Sequence, residues 1–261
     1  MVDPIRAVPP TPEGYYATNN EFLVSGSKGF TEMKMLENEE SFLRIDLPGV
    51  PKEGLTVSLD PSKRFVLVTG EAPKFQHDSS DRKYGIFPGI TCDCCELSGF
   101  TTDLRDGVLR LILSKINHMP QRNKCFVFSI CGKIKDLRSK GPHKFPHGSD
   151  PNDPVYTGPV LESHPCVFQG SGLAYESKQL QNGSLYVRVD MPGHPKERFT
   201  VSVAYGRVSV TGEAPVVSHH DQGARFYSGD VAMLSTPVDI PSHRIQTIAK
   251  DGVLRLIIPS V

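Results

Sequence analysis

The sequence predicts an all-β protein made of two tandem β-sandwiches, and three observations support this prediction. The segment Asp106–Ile112 recurs unchanged as Asp251–Ile257, 145 positions later. Short stretches that alternate apolar and polar residues, typical of half-buried strands, occur in both halves of the chain. Turn pairs such as Pro-Gly and Asp-Gly follow about every 8–12 residues, and no long helical period interrupts them.

The duplication extends well beyond the identical segment. Arg44–Glu53 matches Arg188–Glu197, and Thr69–Pro73 matches Thr211–Pro215, with a spacing that drifts only between 142 and 145 residues. A period of this length indicates two domains rather than a solenoid of short repeats. The chain has 261 residues, which suits two domains of roughly 100–150 residues each.

The first copy contains four regular strand patterns and two weaker ones. The regular strands are predicted at Phe42–Leu47, Leu55–Leu59, Phe65–Thr69 and Val108–Leu113, and the weaker ones at Ile90–Cys94 and Phe100–Leu104. Within the first strand, Arg44 and Asp46 alternate with Ile45. This alternation predicts one buried face and one solvent-exposed face. Gly70 is expected to end the third strand.

The second copy repeats the layout. Its regular strands are predicted at Tyr186–Met191, Phe199–Val203, Arg207–Thr211 and Val253–Ile258, and its weaker ones at Val231–Leu234 and Ile245–Ala249. The resulting division is an N-terminal arm (1–35), a first domain (36–115), a basic, Pro- and Gly-rich connector (116–175) and a second domain (176–261). The arm shows little periodicity and is expected to be extended.

Composition excludes several classes of protein. Hydrophobic residues make up 38% of the chain and the formal net charge is zero, so neither nucleic acid nor membrane surfaces are expected partners. The N-terminus has no apolar stretch of the secretory type, and no apolar run approaches the ~20 residues of a membrane helix. The six cysteines are not matched between the copies, so the copies share no disulfide framework and a reducing cytosol or nucleus is expected.

Catalytic arrangements are missing from the sequence. It contains no Gly-x-Ser-x-Gly elbow, no glycine-rich phosphate loop and no His-Glu-x-x-His motif, so neither an enzyme nor a cofactor is predicted. Asp46 and Asp190 are duplicated carboxylates, but each precedes a Pro-Gly turn by one residue. We interpret them as turn residues whose carboxylates accept hydrogen bonds from backbone amides.

The segment Cys92-Asp93-Cys94-Cys95 is the most unusual chemical feature of the sequence. Thiolates at this spacing can ligate zinc or respond to oxidation. A zinc site usually needs a second ligand pair, however, and the second copy has no cysteine there. Structural cysteines are therefore the preferred interpretation and no metal site is predicted, although Cys125 and Cys131 could add ligands.

A second candidate cluster is His219-His220-Asp221, with His77-Asp78 in the matching region of the first copy. Both follow an Ala-Pro pair in a polar stretch. The preferred interpretation is a solvated loop. The alternative is a pH-responsive contact, because histidine titrates near physiological pH.

Three motifs resemble the α-crystallin domain of small heat-shock proteins, in a plant-like version. They are the Asp-Leu-Pro-Gly-x-x-Lys-Glu turn at Asp46–Glu53, the Val-Thr-Gly-Glu strand end at Val68–Glu71 and the strand Asp106–Leu111. The second copy carries them at Asp190–Glu197, Val210–Glu213 and Asp251–Leu256. The resemblance covers residues 36–115 and 180–261. It implies immunoglobulin-like sandwiches and ATP-independent holdase activity rather than catalysis.

The resemblance also implies where partner polypeptides bind. Members of this family hold unfolding proteins in a groove between two sheet-edge strands, which expose backbone groups and apolar side chains. In this sequence the implied contact residues are Leu55, Val57, Leu59, Phe100, Leu104, Phe199, Val201, Val203, Ile245 and Ile248.

Several family features are missing. The sequence has no tryptophan, no arginine at Thr91–Cys94 or Ala232–Leu234, and no Ile-x-Ile motif at its last residues, Pro259–Val261. Without these features, we expect pairing of the two domains within one chain or a homodimer rather than a large oligomer. The resemblance implies unfolded or partner proteins as ligands. The alternative function is that of an adaptor in a nuclear complex that opposes gene silencing, which would use the basic connector. The expected location is cytoplasmic or nuclear.

Overall fold

The computed structural model describes residues 15–18, 20–27, 29–90, 92–118, 127–131, 158–161, 163–234 and 240–260. Strands dominate the first half of the chain: β1 (Tyr15–Thr18), β2 (Leu23–Ser25), β3 (Thr31–Met35), β4 (Ser41–Asp46), β5 (Leu55–Leu59), β6 (Val66–Ala72), β7 (Arg82–Ile90), β8 (Cys95–Arg105), β9 (Val108–Asn117) and β10 (Val127–Cys131). A single 3₁₀ turn, Lys52–Gly54, precedes β5.

The second half repeats this order. Its strands are β11 (Gly158–Leu161), β12 (Val167–Gln169), β13 (Tyr175–Gln179), β14 (Leu185–Asp190), β15 (Phe199–Ala204), β16 (Arg207–Ala214), β17 (Arg225–Met233), β18 (Gln246–Lys250) and β19 (Val253–Ile258). A 3₁₀ turn at Ser242–Arg244 leads to β18. This organisation confirms the predicted all-β class with tandem sandwiches.

Each sandwich consists of two antiparallel sheets. In the first, one sheet has the order β3-β4-β9-β8 and the other contains β5, β6 and β7. In the second, the corresponding orders are β13-β14-β19-β18 and β15-β16-β17. Each sandwich has its own apolar core between its sheets, because the side chains that alternate inward from both sheets meet there.

The two sandwiches exchange their leading strands. β2 comes before the first sandwich in the chain, yet it pairs with β17 of the second. β12 comes before the second sandwich and pairs with β7 of the first. Phe22 and Leu23 are consequently buried in the core of the second domain, and Cys166 is buried in the core of the first. Each domain therefore completes its partner's sheet.

A short parallel ladder shows the symmetry of this exchange. β1 pairs with β11 in a register that joins Tyr15 to Gly158 and Thr18 to Leu161. Both pairs are 143 residues apart, which is the spacing of the duplication. Equivalent positions of the two copies therefore pair with each other. Together with the reciprocal exchange of β2 and β12, this makes the two domains a pseudo-symmetric pair within one chain.

The outer edge of β7 carries a further strand that β17 lacks among the described residues. β10 pairs antiparallel with the C-terminal half of β7, from Val127 opposite Ile90 to Cys131 opposite Ile86. β10 and β12 thus follow one another along the same edge. A disulfide between Cys131 and Cys166 joins them, which contradicts the expectation that the cysteines are reduced.

The structure corrects several predicted boundaries. The arm at residues 1–35 contains β1, β2 and β3, and the connector at 116–175 contains β10, β11 and β12. The strand predicted at Ile90–Cys94 is instead β7, which ends at Ile90. Gly85, Pro88 and Gly89 are unfavourable in strands, so the sequence of β7 does not show a regular strand pattern. Gly70 lies inside β6 rather than at its end. A Cβ at this position would lie only 3.1 Å from the side chain of Val50.

Candidate functional site

A row of charged side chains crosses one sheet of each domain on the face away from the core. In the first domain, strand register aligns Glu32 on β3 with Arg44 on β4, and Arg44 with Arg110 on β9. Arg44 donates a 2.8 Å hydrogen bond to Glu32. The second domain has the same row, formed by Glu176, Arg188 and Arg255. These rows form the contact surface between the domains.

Two buried ion pairs connect the domains reciprocally. Arg225, at the start of β17, donates a 2.6 Å hydrogen bond to Asp46 on β4. Arg82, at the start of β7, donates a hydrogen bond of the same length to Asp190 on β14. The second nitrogen of each guanidinium also binds the other domain, at the Gly29 and Leu173 carbonyls. Asp46 and Asp190 are therefore interdomain ligands, and their interpretation as turn residues that bind backbone amides was wrong.

Burial and charge act in opposite directions on the protonation of these groups. Burial opposes the charge of Arg225, but the carboxylate of Asp46 outweighs it and raises the pKa of that guanidinium above its usual range. Asp190 does the same for the pKa of Arg82. Burial also raises the pKa of Tyr84 and of Tyr227 to about 12. The arginines stay charged and the tyrosines stay neutral at every physiological pH.

The loop after the Ala-Pro pair reaches from each domain onto the charged row of the other. Asp221 accepts a bidentate pair of hydrogen bonds from Arg110 at 2.9 Å, and its side chain is only 2% exposed. Asp78 accepts the equivalent pair from Arg255. The prediction of a solvated loop was wrong for both aspartates, because the partner domain covers them.

The two loop histidines contact aromatic rings of the other domain. The ring of His220 lies 5.3 Å from that of Phe42, and the ring of His77 lies 5.7 Å from that of Tyr186. Tyr186 also donates a short hydrogen bond to Asp78. The loops thus form part of the interface, whereas the pH-responsive role of their histidines stays a prediction.

The interface buries the polar face of β4, which the alternating pattern had predicted to be exposed to solvent. All six residues of this strand are buried, including Arg44 and Asp46. The pattern correctly separates two faces, but the polar face meets the other domain rather than solvent. The prediction of a half-buried strand was wrong for this reason. The matched spacing of Arg82 with Arg225, and of Asp78 with Asp221, was the available sign of a shared role.

The repeated Asp-Gly turns contact each other's domain through the backbone. The amide of Gly49 donates a 2.8 Å hydrogen bond to the Asp251 carbonyl, and the amide of Gly193 donates a 2.7 Å bond to the Asp106 carbonyl. The glycines after these aspartates, Gly107 and Gly252, have positive φ angles of 67° and 70°. The identical segment therefore supplies both a strand and an interdomain turn.

The strand exchange places one polar side chain over each buried aspartate. Asn20 donates a hydrogen bond to the backbone carbonyl of Asp190, and His164 occupies the equivalent position beside the carbonyl of Asp46, at 2.9 Å. His164 Nδ1 accepts a bond from the Cys166 amide, so its Nε2 carries the proton. Burial lowers the pKa of His164 to about 3.

The candidate binding residues lie on or beside the outer strands β5, β8, β15 and β18. β5 and β8 are the outer strands of the two sheets of the first domain and lie side by side. Leu55, Val57 and Leu59 alternate with exposed polar residues along β5 and are half-buried. Phe100 on β8 is also half-buried. Leu104, only 6% exposed, belongs to the core.

In the second domain, β15 and β18 are likewise the outer strands of the two sheets, and the 3₁₀ turn at Ser242–Arg244 contacts β15. Phe199, Val201 and Val203 are half-buried along β15 and face the core. Ile248 on β18 is 40% exposed, whereas Ile245 precedes this strand and is buried. In the described part of the chain, no strand pairs with the outer edges of β5, β8, β15 or β18. The structure thus places eight of the ten predicted residues half-buried or exposed on these four outer strands, and Leu104 and Ile245 in the cores.

Other sites suggested by the sequence lie elsewhere. Cys92, Cys94 and Cys95 lie between β7 and β8, and their sulfur atoms cluster within 4.8 Å. Cys125 falls outside the described residues. A cleft of about 530 Å³ lies between the His77 loop and the second domain, and both polar and apolar side chains line it. Gln246, the first residue of β18, also lines this cleft.

None of the described helices has the length and apolar character required to cross a membrane.

Comparisons with known proteins agree with this architecture. A family model described as "Predicted plant small heat shock protein" matches residues 2–261. The chain is 38% identical to the "Putative 57 kDa heat shock protein" of Arabidopsis thaliana over 298 aligned positions, which cover 86% of this chain and 56% of that protein. It is 25% identical to the mitochondrial "Heat shock 22 kDa protein" of Glycine max over 120 positions, or 45% of this chain and 56% of that protein.

The chain thus spans about half the length of the curated relatives it matches. The family match nevertheless covers almost the whole sequence and includes both sandwiches. With its duplicated Asp-x-Pro-Gly turns and paired β-sandwiches, the chain belongs to the plant small heat-shock protein family.

Proposed function

We propose that this protein is an ATP-independent holdase, which binds non-native polypeptides along the grooves at β5 and β8 and at β15 and β18. The observation that supports the proposal is the state of the sheet edges. In the described part of the chain, β10 and β12 pair with the outer edge of β7, and β2 pairs with part of the outer edge of β17. The outer edges of the four groove strands, in contrast, are open among these residues. An open edge can add an extended polypeptide through backbone hydrogen bonds.

The side chains beside these edges suit an extended apolar ligand. Val57 and Val201 occupy equivalent positions in β5 and β15, and each is half-buried against its core. The alternation along both strands creates apolar sites two residues apart, which matches the side-chain period of an extended chain. No nucleotide is needed for such binding, because apolar burial and backbone pairing provide the free energy.

An aggregation assay tests the proposal with matched variants. The full chain should suppress heat-induced aggregation of a model enzyme at stoichiometric ratios. The double variant Val57→Asp/Val201→Asp should lose most of this activity. The control Ser58→Asp/Ser202→Asp adds the same charges at adjacent, solvent-facing positions of the same strands and should retain it. Circular dichroism would verify that both variants are folded.

Two results would overturn the proposal. Wild-type protein that fails to suppress aggregation at equimolar ratio lacks general holdase activity. Equal activity of the groove double variant and its control would place binding elsewhere on the molecule. The alternative of a nuclear adaptor is not proposed, because no observation among the described residues favours it.

A further inference from the structure

Three cysteine thiols lie together in the loop between β7 and β8 of the first domain. The sulfur atoms of Cys92, Cys94 and Cys95 are all within 4.8 Å of one another, and those of Cys94 and Cys95 are 3.9 Å apart. None of the three belongs to a disulfide. Cys94 and Cys95 are buried, whereas Cys92 is partly exposed. The cluster is therefore dry on one side and accessible on the other.

The spacing of the sulfur atoms suits a single bound cation. Zinc–thiolate bonds are about 2.3 Å long, so sulfurs around one ion lie roughly 3.8–4.0 Å apart in tetrahedral or trigonal geometry. The pair Cys94 and Cys95 already has this separation. Shifts below about 1 Å would bring all three sulfurs to bonding distance. The loop would not have to refold.

The backbone of the loop is held in place from outside. The guanidinium of Arg64 donates hydrogen bonds to the carbonyls of Ile90 and Cys95, at 3.4 and 3.0 Å, and so connects the two ends of the loop. The amide of His118 donates a 2.8 Å bond to the Cys94 carbonyl. Groups that fix the ligand-bearing backbone favour metal binding, because less conformational freedom is lost on coordination.

The duplication provides an internal comparison. The second domain forms the same sandwich, although Ser235–Asp239 contains no cysteine and Gly206 stands 142 residues after Arg64. The cysteines and the arginine that connects their loop are therefore both confined to the first domain. Because the second sandwich forms without them, the fold itself does not require three thiols at this loop.

We propose that Cys92, Cys94 and Cys95 form a binding site for one thiophilic cation, Zn²⁺ or Cu⁺. Thiolate sulfur is a soft ligand that selects these ions over Mg²⁺ or Ca²⁺. Each thiol would release its proton on coordination. The three ligands found among the described residues would satisfy a trigonal Cu⁺ centre and supply three of the four ligands of tetrahedral Zn²⁺. The site is distinct from the grooves, and its existence does not depend on holdase activity.

Metal titration of the full chain tests the site. Metal-free protein in a non-thiol reductant would be titrated with Zn²⁺ or with Cu⁺ against a chromophoric competing chelator. Wild type should bind one cation per chain. Cys92→Ser, which changes the accessible ligand, should weaken binding at least about tenfold. The double variant Cys131→Ser/Cys166→Ser should still bind one cation, which excludes the other pair of cysteines as the source.

Cadmium absorption gives a readout independent of affinity. The thiolate-to-Cd²⁺ charge-transfer band should correspond to three sulfurs in wild type and to two in Cys92→Ser. The relative affinities for Zn²⁺ and Cu⁺ identify the cation. Folded wild-type protein that binds neither ion, or a Cys92→Ser variant that binds as tightly as wild type, would overturn the proposal. Neither result would bear on the proposed holdase activity, which the metal-free protein should show in the aggregation assay.

Discussion

The guanidinium of Arg82 in the first domain donates a buried 2.6 Å hydrogen bond to the carboxylate of Asp190 in the second. Arg225 and Asp46 form the same bond in the opposite direction. Each arginine begins the strand that accepts the partner domain's leading strand. Charge pairing and strand exchange therefore act at the same places, and the two sandwiches stabilise each other.

Truncation of one interdomain arginine should destabilise the whole chain. Arg82→Ala leaves Asp190 buried without its partner, and loss of one member of a buried pair costs about 3–5 kcal/mol. Urea unfolding followed by circular dichroism would measure the free energy of unfolding. The control Arg105→Ala breaks an exposed pair with Asp103 and should cost less than about 1 kcal/mol. Similar losses in both variants would contradict the role of the interface.

The buried histidine should make stability depend on pH. The pKa of His164 is about 3 in the folded chain, whereas an unfolded histidine has a pKa near 6.5. The unfolded state therefore binds the proton more readily, and stability falls as pH drops below about 6.5. The slope is at most about 1.4 kcal/mol per pH unit. Between pH 6.5 and 4.5 we expect His164 to contribute a loss of about 2 kcal/mol.

The duplication supplies the variant that tests this titration. His164→Asn introduces the residue that copy one carries at the equivalent position, where Asn20 binds the Asp190 carbonyl. Its unfolding free energy should vary less between pH 6.5 and 4.5 than that of wild type. His243→Asn removes an exposed imidazole and should keep the wild-type slope. An unchanged slope in His164→Asn would assign the pH dependence to other groups.

The repeated Asp-Gly turns should not tolerate a side chain. A Cβ at Gly107 would overlap the Asp251 carbonyl of the other domain, and one at Gly252 would overlap the Asp106 carbonyl. Both glycines also have φ angles unfavourable for alanine. Gly107→Ala should therefore cost about 2 kcal/mol or more of unfolding free energy. Gly99→Ala, with open space around its Cβ, should be close to neutral in the same denaturation experiment.

The disulfide should stabilise the first domain in the absence of reductant. Cys131 and Cys166 are 35 residues apart, and closing a loop of this length contributes about 2–4 kcal/mol. Reductant should thus lower the melting temperature of wild type. Cys166→Ser should melt at a lower temperature and respond little to reductant. Peptide mapping without reductant should recover the two cysteines in one linked fragment, and its absence would argue against the bond.

The fold was largely predictable because its signals are local. Alternation in Leu55–Leu59 and the turn before Val108 depend on nearest neighbours and were located correctly. β7 was misplaced because Gly85, Pro88 and Gly89 break the strand pattern. It pairs with its neighbour in sequence, β6, on one side and with β10 and β12, which are distant in sequence, on the other.

The candidate grooves were predicted from family resemblance, whereas the interface was not predicted in detail. Asp78 and Asp221 looked like loop residues, since each lies in a polar stretch that follows an Ala-Pro pair. Their partners, Arg255 and Arg110, lie 177 and 111 residues away. No local pattern can indicate that a charge will be covered by another domain. Equal spacing of the charged pairs in both copies was the only trace of it.

The sequence by itself determined the duplication, the β class and the two faces of each strand, because side chains alternate along an extended backbone whatever lies beyond it. Only the tertiary structure decided which polar face is buried. Asp46 and Asp190 are interdomain ligands because an arginine of the other domain binds each carboxylate in the buried interface. The Asp-Gly segment present twice in the chain therefore encodes a strand in each domain, while its turn acquires a second role only when the two domains meet.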